Sequence, residues 1–117
     1  MANFEKLDVY QLSLSFIGKI YDVTASYPKD ELYGITNQIR RAAVSIATNI
    51  AEGSGRFHKK DFAQFVRIAR SSVFECIALL QISLRRRYID ESVYEGLYSE
   101  STEISKKLSS LINALQK

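Results

Sequence analysis

The side chains best suited to chemistry lie in a basic turn, where Arg56, Lys59 and Lys60 surround Phe57 and His58. Lysine and arginine neutralise phosphates, and an exposed aromatic ring can stack on an unpaired base. This turn therefore predicts contact with nucleic acid, and three further arginines would widen the footprint. The predicted nucleic-acid-binding residues are Arg40, Arg41, Arg56, Lys59, Lys60 and Arg67. The alternative is that these charges only solubilise the ends of helices.

The distribution of charge is more informative than its total. The chain has 117 residues, with 16 Lys and Arg against 13 Asp and Glu, so its formal charge is +3. Residues 38 to 72 hold seven basic residues against two acidic ones, a local charge of +5 that leaves −2 for the remainder. Such asymmetry is typical of a polyanion-binding face, although solubilising helix surfaces also show it.

Few residues are suited to catalysis or metal binding. The single histidine, His58, falls in a predicted turn, and the single cysteine, Cys76, falls in an apolar helical row. Zinc sites and bundle di-metal centres need several clustered ligands. No Gly-Lys-Ser/Thr phosphate loop is present, and no serine has a plausible histidine base. We predict no catalytic residue, no metal site, no cofactor and no small-molecule substrate.

Composition also predicts the compartment. No apolar run approaches the roughly 20 residues that span a bilayer, so we expect no membrane association. A lone cysteine cannot form an internal disulfide, and acidic residues within the first eight positions argue against a signal peptide. We expect a cytoplasmic protein.

Two helices are predicted before the basic turn. The first runs from Leu7 to Ser26 and ends at Tyr27 because proline follows it. Its two apolar rows are Leu7, Tyr10, Leu14, Ile17 and Tyr21, and Val9, Leu12, Phe16 and Ile20. The second runs from Gly34 to Glu52, and Gly53 is predicted to end it in a left-handed conformation. Its predicted core face, with alanines for close helix approach, is Ile35, Ile39, Ala42, Ala43, Ile46, Ala47 and Ile50.

Two helices are predicted after the turn. The third runs from Lys59 to Arg86, and at 1.5 Å per residue it would be about 40 Å long. Its predicted core row is Phe62, Phe65, Val66, Ala69, Val73, Cys76, Ile77 and Leu80. The fourth follows Asp90 as N-cap. Its apolar seam is Val93, Leu97, Ile104, Leu108, Leu111 and Leu115. Four long amphipathic helices with short links predict a single all-α domain over residues 1–117, an antiparallel up-down-up-down four-helix bundle.

The second helix also carries a polar stripe at helical spacing. Its members are Gln38, Arg41, Ser45, Asn49 and Glu52. One interpretation is a solvated face. The other is that Arg41, Asn49 and Glu52 pair across a helix or subunit boundary, since buried charges need partners.

The segment from Gln38 to Arg56, QIRRAAVSIATNIAEGSGR, resembles a family of small bacterial four-helix bundles named for the 23S rRNA intervening-sequence protein. The most specific piece is Asn49 to Gly53. The resemblance continues in residues on either side: Tyr27, Pro28, Glu31, Tyr33 and Gly34 before it, and Phe62, Phe65, Ile68, Ala69, Ser71, Ser72 and Glu75 after it. The chain departs from the family pattern at Ala47, where proline is common, and at His58, where serine or threonine is favoured.

The resemblance implies a left-handed bundle that assembles as a homo-oligomeric ring, a pentamer. It also implies an origin in open reading frames within rRNA intervening sequences. The accessory proteins of diversity-generating retroelements are similar in architecture and work with nucleic acid. We therefore predict a non-enzymatic pentamer that presents a basic face to RNA or a nucleoprotein. The alternative is an oligomeric scaffold or adaptor that binds only protein. The candidate subunit contact comprises Ile68, Phe74, Glu75, Leu79 and Ile82.

Overall fold

Residues 3–117, which the computed structural model describes, contain four long helices and no strand. The helices are α1 (Asp8–Thr24), α2 (Ile35–Ser54), α3 (Lys59–Arg85) and α4 (Glu91–Leu115). Short 3-10 helices precede α1 (Asn3–Lys6) and α2 (Lys29–Glu31). The all-α prediction is confirmed, and each predicted helix is present with ends shifted by at most two residues.

The four helices enclose one apolar core. α2 packs against α1 and α3, and α4 packs against α3 and α1, in a body of 43 × 23 × 22 Å. All seven residues of the predicted α2 core face are buried. Val66, Ala69, Val73, Cys76 and Leu80 of α3 are buried as well, whereas Phe62, Phe65 and Ile77 are only half-buried.

α1 buries one of its two apolar rows more deeply than the other, in which Leu7, Tyr10 and Ile17 are half-buried against the core. Val9, Phe16 and Ile20 are buried, whereas Leu14 and Tyr21 each expose 43% of their surface. The buried side of α1 also includes two hydroxyl residues, Ser13 and Thr24. Each donates a 2.7 Å hydrogen bond to the backbone carbonyl four residues earlier, so neither hydroxyl is buried without a partner.

Gly53 does not end α2, and the prediction of a left-handed conformation there is wrong. α2 continues to Ser54, and no glycine in residues 3–117 has a positive φ. Gly53 is needed for space instead, because a Cβ built on it would lie 2.6 Å from Phe65 Cβ and 2.9 Å from Phe62 Cδ1. The missing side chain lets the end of α2 approach the start of α3.

The starts of α3 and α4 differ in capping. The Val93 amide donates a 2.8 Å hydrogen bond to Asp90 Oδ1, which confirms Asp90 as the N-cap of α4. His58 occupies the same position before α3 but makes no side-chain capping bond. Between these helices Arg87 has a φ of 62°, in the left-handed region that non-glycine residues seldom adopt.

Candidate nucleic-acid interface

The turn between α2 and α3 is the most exposed part of the predicted site. Phe57 exposes 94% of its surface, and its ring meets the His58 ring edge-on at a centroid distance of 4.9 Å. Lys59 and Lys60 open α3, are exposed, and form no ion pair with any carboxylate in residues 3–117. The turn therefore presents two unneutralised ammonium groups beside an exposed ring.

Arg56 is positioned more firmly than these lysines. Its Nη2 lies 3.4 Å from Glu52 Oε1, and its guanidinium carbon lies 4.7 Å from the centroid of the Phe65 ring. The side chain is still 48% exposed. An exposed ion pair of this kind contributes little to stability, so Arg56 can leave Glu52 and bind a phosphate at a small cost in free energy.

Arg40 and Arg41 lie far from this turn. Both lie in α2, which ends at Ser54 before Arg56, and at 1.5 Å per residue Arg41 is about 20 Å from that end of the helix. Arg40 Nε donates a 2.8 Å hydrogen bond to Thr24 Oγ1, and its guanidinium covers the Tyr21 ring at 4.7 Å. Arg40 thus joins α2 to α1, whereas Arg41 is exposed.

Arg67 lies two turns into α3, on the side that faces α4. Its Nη1 donates a 2.6 Å hydrogen bond to Gln64 Oε1. Both side chains border an open groove of about 620 Å³, which is also lined by Lys60, Ala63, Leu115 and Gln116. Arg70 continues this row and donates from Nη1 to Ser109 Oγ of α4 at 3.1 Å. Arg70 is not among the residues predicted for the site, although its spacing of three from Arg67 places both on one helical face.

The six predicted residues therefore do not form one continuous face. Arg56, Lys59 and Lys60 lie together in the turn, and Arg67 lies in the groove that begins at Lys60. Arg40 and Arg41 border a separate groove with Tyr21 and Thr48.

The polar stripe of α2 divides between solvent and a small network. Gln38, Arg41 and Glu52 are exposed, while Ser45 and Asn49 are half-buried. Asn49 Nδ2 donates to the carbonyl and hydroxyl oxygens of Ser45 at 2.8 and 2.9 Å, and the Ser72 hydroxyl of α3 donates to Ser45 Oγ at 2.9 Å. Within this chain, the Asn49 side chain therefore hydrogen-bonds to Ser45 of its own helix, and Glu52 forms an ion pair with Arg56 of the turn.

The candidate subunit contact on α3 also divides. Ile68 and Ile82 expose 49% and 48% of their surfaces, and the Ile68 carbonyl lies 3.1 Å from the Ser72 hydroxyl of the Ser45–Ser72 network. Leu79 is only 7% exposed and belongs to the core of its own chain, so it is removed from the candidate contact. Phe74 is 55% exposed but stands about 100° around the helix from Glu75, toward α4.

The residues considered for catalysis are placed apart. Burial, with a smaller contribution from the Glu75 charge, raises the pKa of the Cys76 thiol to about 12, so the thiol stays neutral and inaccessible. His58 is exposed in the turn. Across residues 3–117, no three His, Cys, Asp or Glu side chains gather to hold a metal ion. In the same range, every helix is too short or too polar to cross a membrane.

Comparison with known proteins identifies the family. A crystal structure of a protein with unknown function from the S23 ribosomal protein family of Bacteroides thetaiotaomicron is similar to this chain, with 30% sequence identity and a TM-score of 0.82. The similarity covers 90% of this chain and 95% of that one. Comparison with curated proteins found no match. The family model described as 23S rRNA-intervening sequence protein matches residues 5–110, and the chain therefore belongs to this family.

Proposed function

We propose that this chain is a non-catalytic, homo-oligomeric protein that binds RNA, alone or in a nucleoprotein, through the basic turn between α2 and α3. One observation carries the proposal. Of the six predicted contact residues, only Arg56 forms an ion pair with a carboxylate of residues 3–117. Unneutralised cations beside an exposed aromatic ring suit phosphates and unstacked bases.

The relatives support this proposal by name. The matching family is described by a 23S rRNA intervening sequence, and the Bacteroides protein is assigned to a ribosomal protein family. Both descriptions refer to the ribosome or its RNA.

Titration of a fluorescent structured RNA at several salt concentrations tests the proposal. We expect affinity to fall steeply with salt, because each phosphate contact releases counterions. Changing Arg56, Lys59 and Lys60 to Gln is expected to weaken binding. The slope of log affinity against log salt concentration should fall by the amount that corresponds to about two phosphate contacts or more. The matched control changes Arg85, Arg86 and Arg87 to Gln, which removes the same charge at the other end of α3 and is expected to retain binding. Undetectable binding at low salt would leave the protein-only scaffold as the function.

The helix arrangement that we propose is the antiparallel, left-handed up-down-up-down bundle. Two ion pairs between α1 and α4 support opposite directions for these helices. Asp8, at the start of α1, pairs with Lys107 in the second half of α4, whereas Lys19 pairs with Glu100 in its first half.

We further propose that five chains assemble through the α2–α3 face that carries Ile68 and Ile82. Their half-exposed side chains would bury apolar surface in an assembly, which is the main favourable term in association. Light scattering is expected to give a mass about five times the 13.3 kDa chain. Ile68→Asp is expected to break the assembly, whereas Leu14→Asp, at a half-exposed leucine of α1, is the control. A monomer at high protein concentration contradicts this proposal.

A further inference from the structure

The groove between α3 and α4 is a second surface with unneutralised charge. Two hydrogen bonds show where the helices adjoin: Arg70 to Ser109 at 3.1 Å, and Gln81 Nε2 to the Tyr94 hydroxyl at 3.4 Å. Lys60 and Leu115 border the same groove farther toward the basic turn. From Lys60 to Gln81 this seam is about 32 Å long at 1.5 Å per residue.

The charges along the seam have one sign at the end nearer the basic turn. Lys60, Arg67 and Arg70 form no ion pair with a carboxylate in the described chain. The nearby carboxylates of α4 lie on its other side, where Glu100 pairs with Lys19 and borders a small cavity with Glu103 and Leu12 of α1. Glu100 and Glu103 of α4 therefore lie toward α1, whereas helical spacing places Glu91 and Glu95 at the end of the seam nearer Tyr94.

The side of α4 toward α3 carries hydroxyl groups and aromatic rings. Helical spacing from the two observed contacts places Tyr98, Thr102 and Ser105 between Tyr94 and Ser109 on this side. Hydroxyls can hydrogen-bond phosphate and ribose oxygens without adding negative charge. The seam thus combines cations, neutral hydrogen-bonding groups and no carboxylate between Tyr98 and Ser109.

Two half-exposed rings follow the cations along the seam. Phe74 lies one turn beyond Arg70 and is 55% exposed, and Tyr98 is 41% exposed. The Tyr98 ring stacks on the Tyr94 ring at 5.8 Å with an interplanar angle of 26°, and Gln81 holds the Tyr94 hydroxyl. Tyr98 is therefore a supported ring with one open face, the geometry that stacks an unpaired base.

We propose that a single-stranded segment of RNA follows the α3–α4 seam, with its phosphates on Lys60, Arg67 and Arg70 and its bases on Phe74 and Tyr98. This proposal rests on the proposed RNA-binding function and gives the path of the strand beyond the basic turn. Arg41 lies outside this path. Phe74 then serves the RNA and not the subunit contact.

Fluorescence anisotropy with a labelled single-stranded RNA of about 20 nucleotides tests the path. The variant with Arg67→Gln and Arg70→Gln is expected to bind at least about 10-fold more weakly, with a salt dependence reduced by about 0.7 for each lost contact. Tyr98→Ala is expected to lose at least about 5-fold, whereas Tyr98→Phe retains the ring and the affinity. Arg85→Gln with Arg86→Gln removes the same charge at the far end of α3 and is expected to bind like the natural chain.

The outcomes separate this path from the proposed function. If the natural chain does not bind RNA at low salt, the proposed function fails. If it binds and the seam variants bind equally well while Arg41→Gln weakens binding, the path is wrong and the proposed function stands. A preference for fully double-stranded RNA also overturns the path.

Photo-cross-linking of RNA to the unmodified protein gives a readout that does not depend on the folding of variants. Mapping by mass spectrometry is expected to place cross-links at Phe74 or Tyr98. Cross-links confined to Phe57 would restrict the RNA to the turn and contradict the seam path. A loss of assembly in Phe74→Ala, with RNA affinity unchanged, would return Phe74 to the subunit contact.

Discussion

The α2–α3 pair and the α1–α4 pair close the same bundle in different ways. α2 meets α3 through small residues, and at Gly53 there is no room for a Cβ. α1 meets α4 beside an open groove of about 270 Å³ that Lys19, Val93, Gly96 and Glu100 help to line. A Cβ added at Gly18 of α1 or Gly96 of α4 would meet nothing within 4 Å.

The difference shows which contacts need particular residues. Close helix approach removes space, so each position in the α2–α3 interface admits few side chains. The exposed ion pairs of α1 and α4 act across a wetter seam, where charge contributes little and many pairs would serve. The segment that resembles the family, Gln38 to Arg56, lies in the first kind of interface.

The largest effect is expected from Gly53→Ala. The added Cβ would lie 2.6 Å from Phe65 Cβ, which is fixed to the backbone and cannot rotate away. We expect the free energy of unfolding to fall by about 1–3 kcal/mol, the usual cost of overpacking. Thermal or urea unfolding followed by circular dichroism measures it.

The matched control for Gly53→Ala is Gly96→Ala. The new methyl enters open space on an exposed helix, and alanine has the better helix propensity, so stability is expected to rise by about 0.5–1 kcal/mol. If both changes shift stability in the same direction, the contrast between the two interfaces is wrong.

The next effect is a dependence on alkaline pH from Cys76. Its ordinary pKa of 9.0 applies to the unfolded chain, whereas burial raises the folded value to about 12. Between these values the unfolded chain loses the thiol proton and the folded chain keeps it, so stability falls as pH rises. The loss in the free energy of unfolding is at most about 1.4 kcal/mol per pH unit above pH 9. Cys76→Ala is expected to lack this loss.

Unfolding of both chains at pH 8 to 11 measures this difference. Equal pH slopes for the natural chain and Cys76→Ala would mean that water reaches the thiol, and that the α3 side of the core is not dry.

The smallest effect is expected at Lys19 and Glu100. Their side chains are 53% and 32% exposed, so a double-mutant cycle with Lys19→Met and Glu100→Gln should give a coupling of about 0.2–1 kcal/mol. The coupling should weaken with salt because exposed charges are screened. A coupling energy larger than the loss of unfolding free energy in Gly53→Ala would reverse the ranking of the two interfaces.

Much of the fold could be predicted because its signals are local. Periodicity placed all four helices, Asp90 marked a start that needs a cap, and the α2 alanines indicated close packing. Gly53 was identified as important for the wrong reason, because its demand for space comes from Phe62 and Phe65 on another helix. Periodicity also could not rank the two rows of α1, since both are apolar and only the tertiary contacts choose between them.

The candidate site was harder to predict because charge density along the chain does not show which helix faces adjoin. Arg40 and Arg41 were grouped with Lys59 and Lys60, although about 20 Å or more of helix separates them. The partnership of Arg70 with Ser109 joins residues 39 positions apart, and no pattern within α3 could have indicated it.

The two interfaces also differ in how far apart along the chain their residues lie. α2 and α3 are joined by a short turn, so their packing needs only residues up to about 85. The Lys19–Glu100 contact spans 81 positions, and loop closure over such a distance is slow relative to local pairing. When the unfolded chain refolds, the α2–α3 hairpin is therefore expected to form first, and the contact between α1 and α4 is expected to close the bundle afterwards.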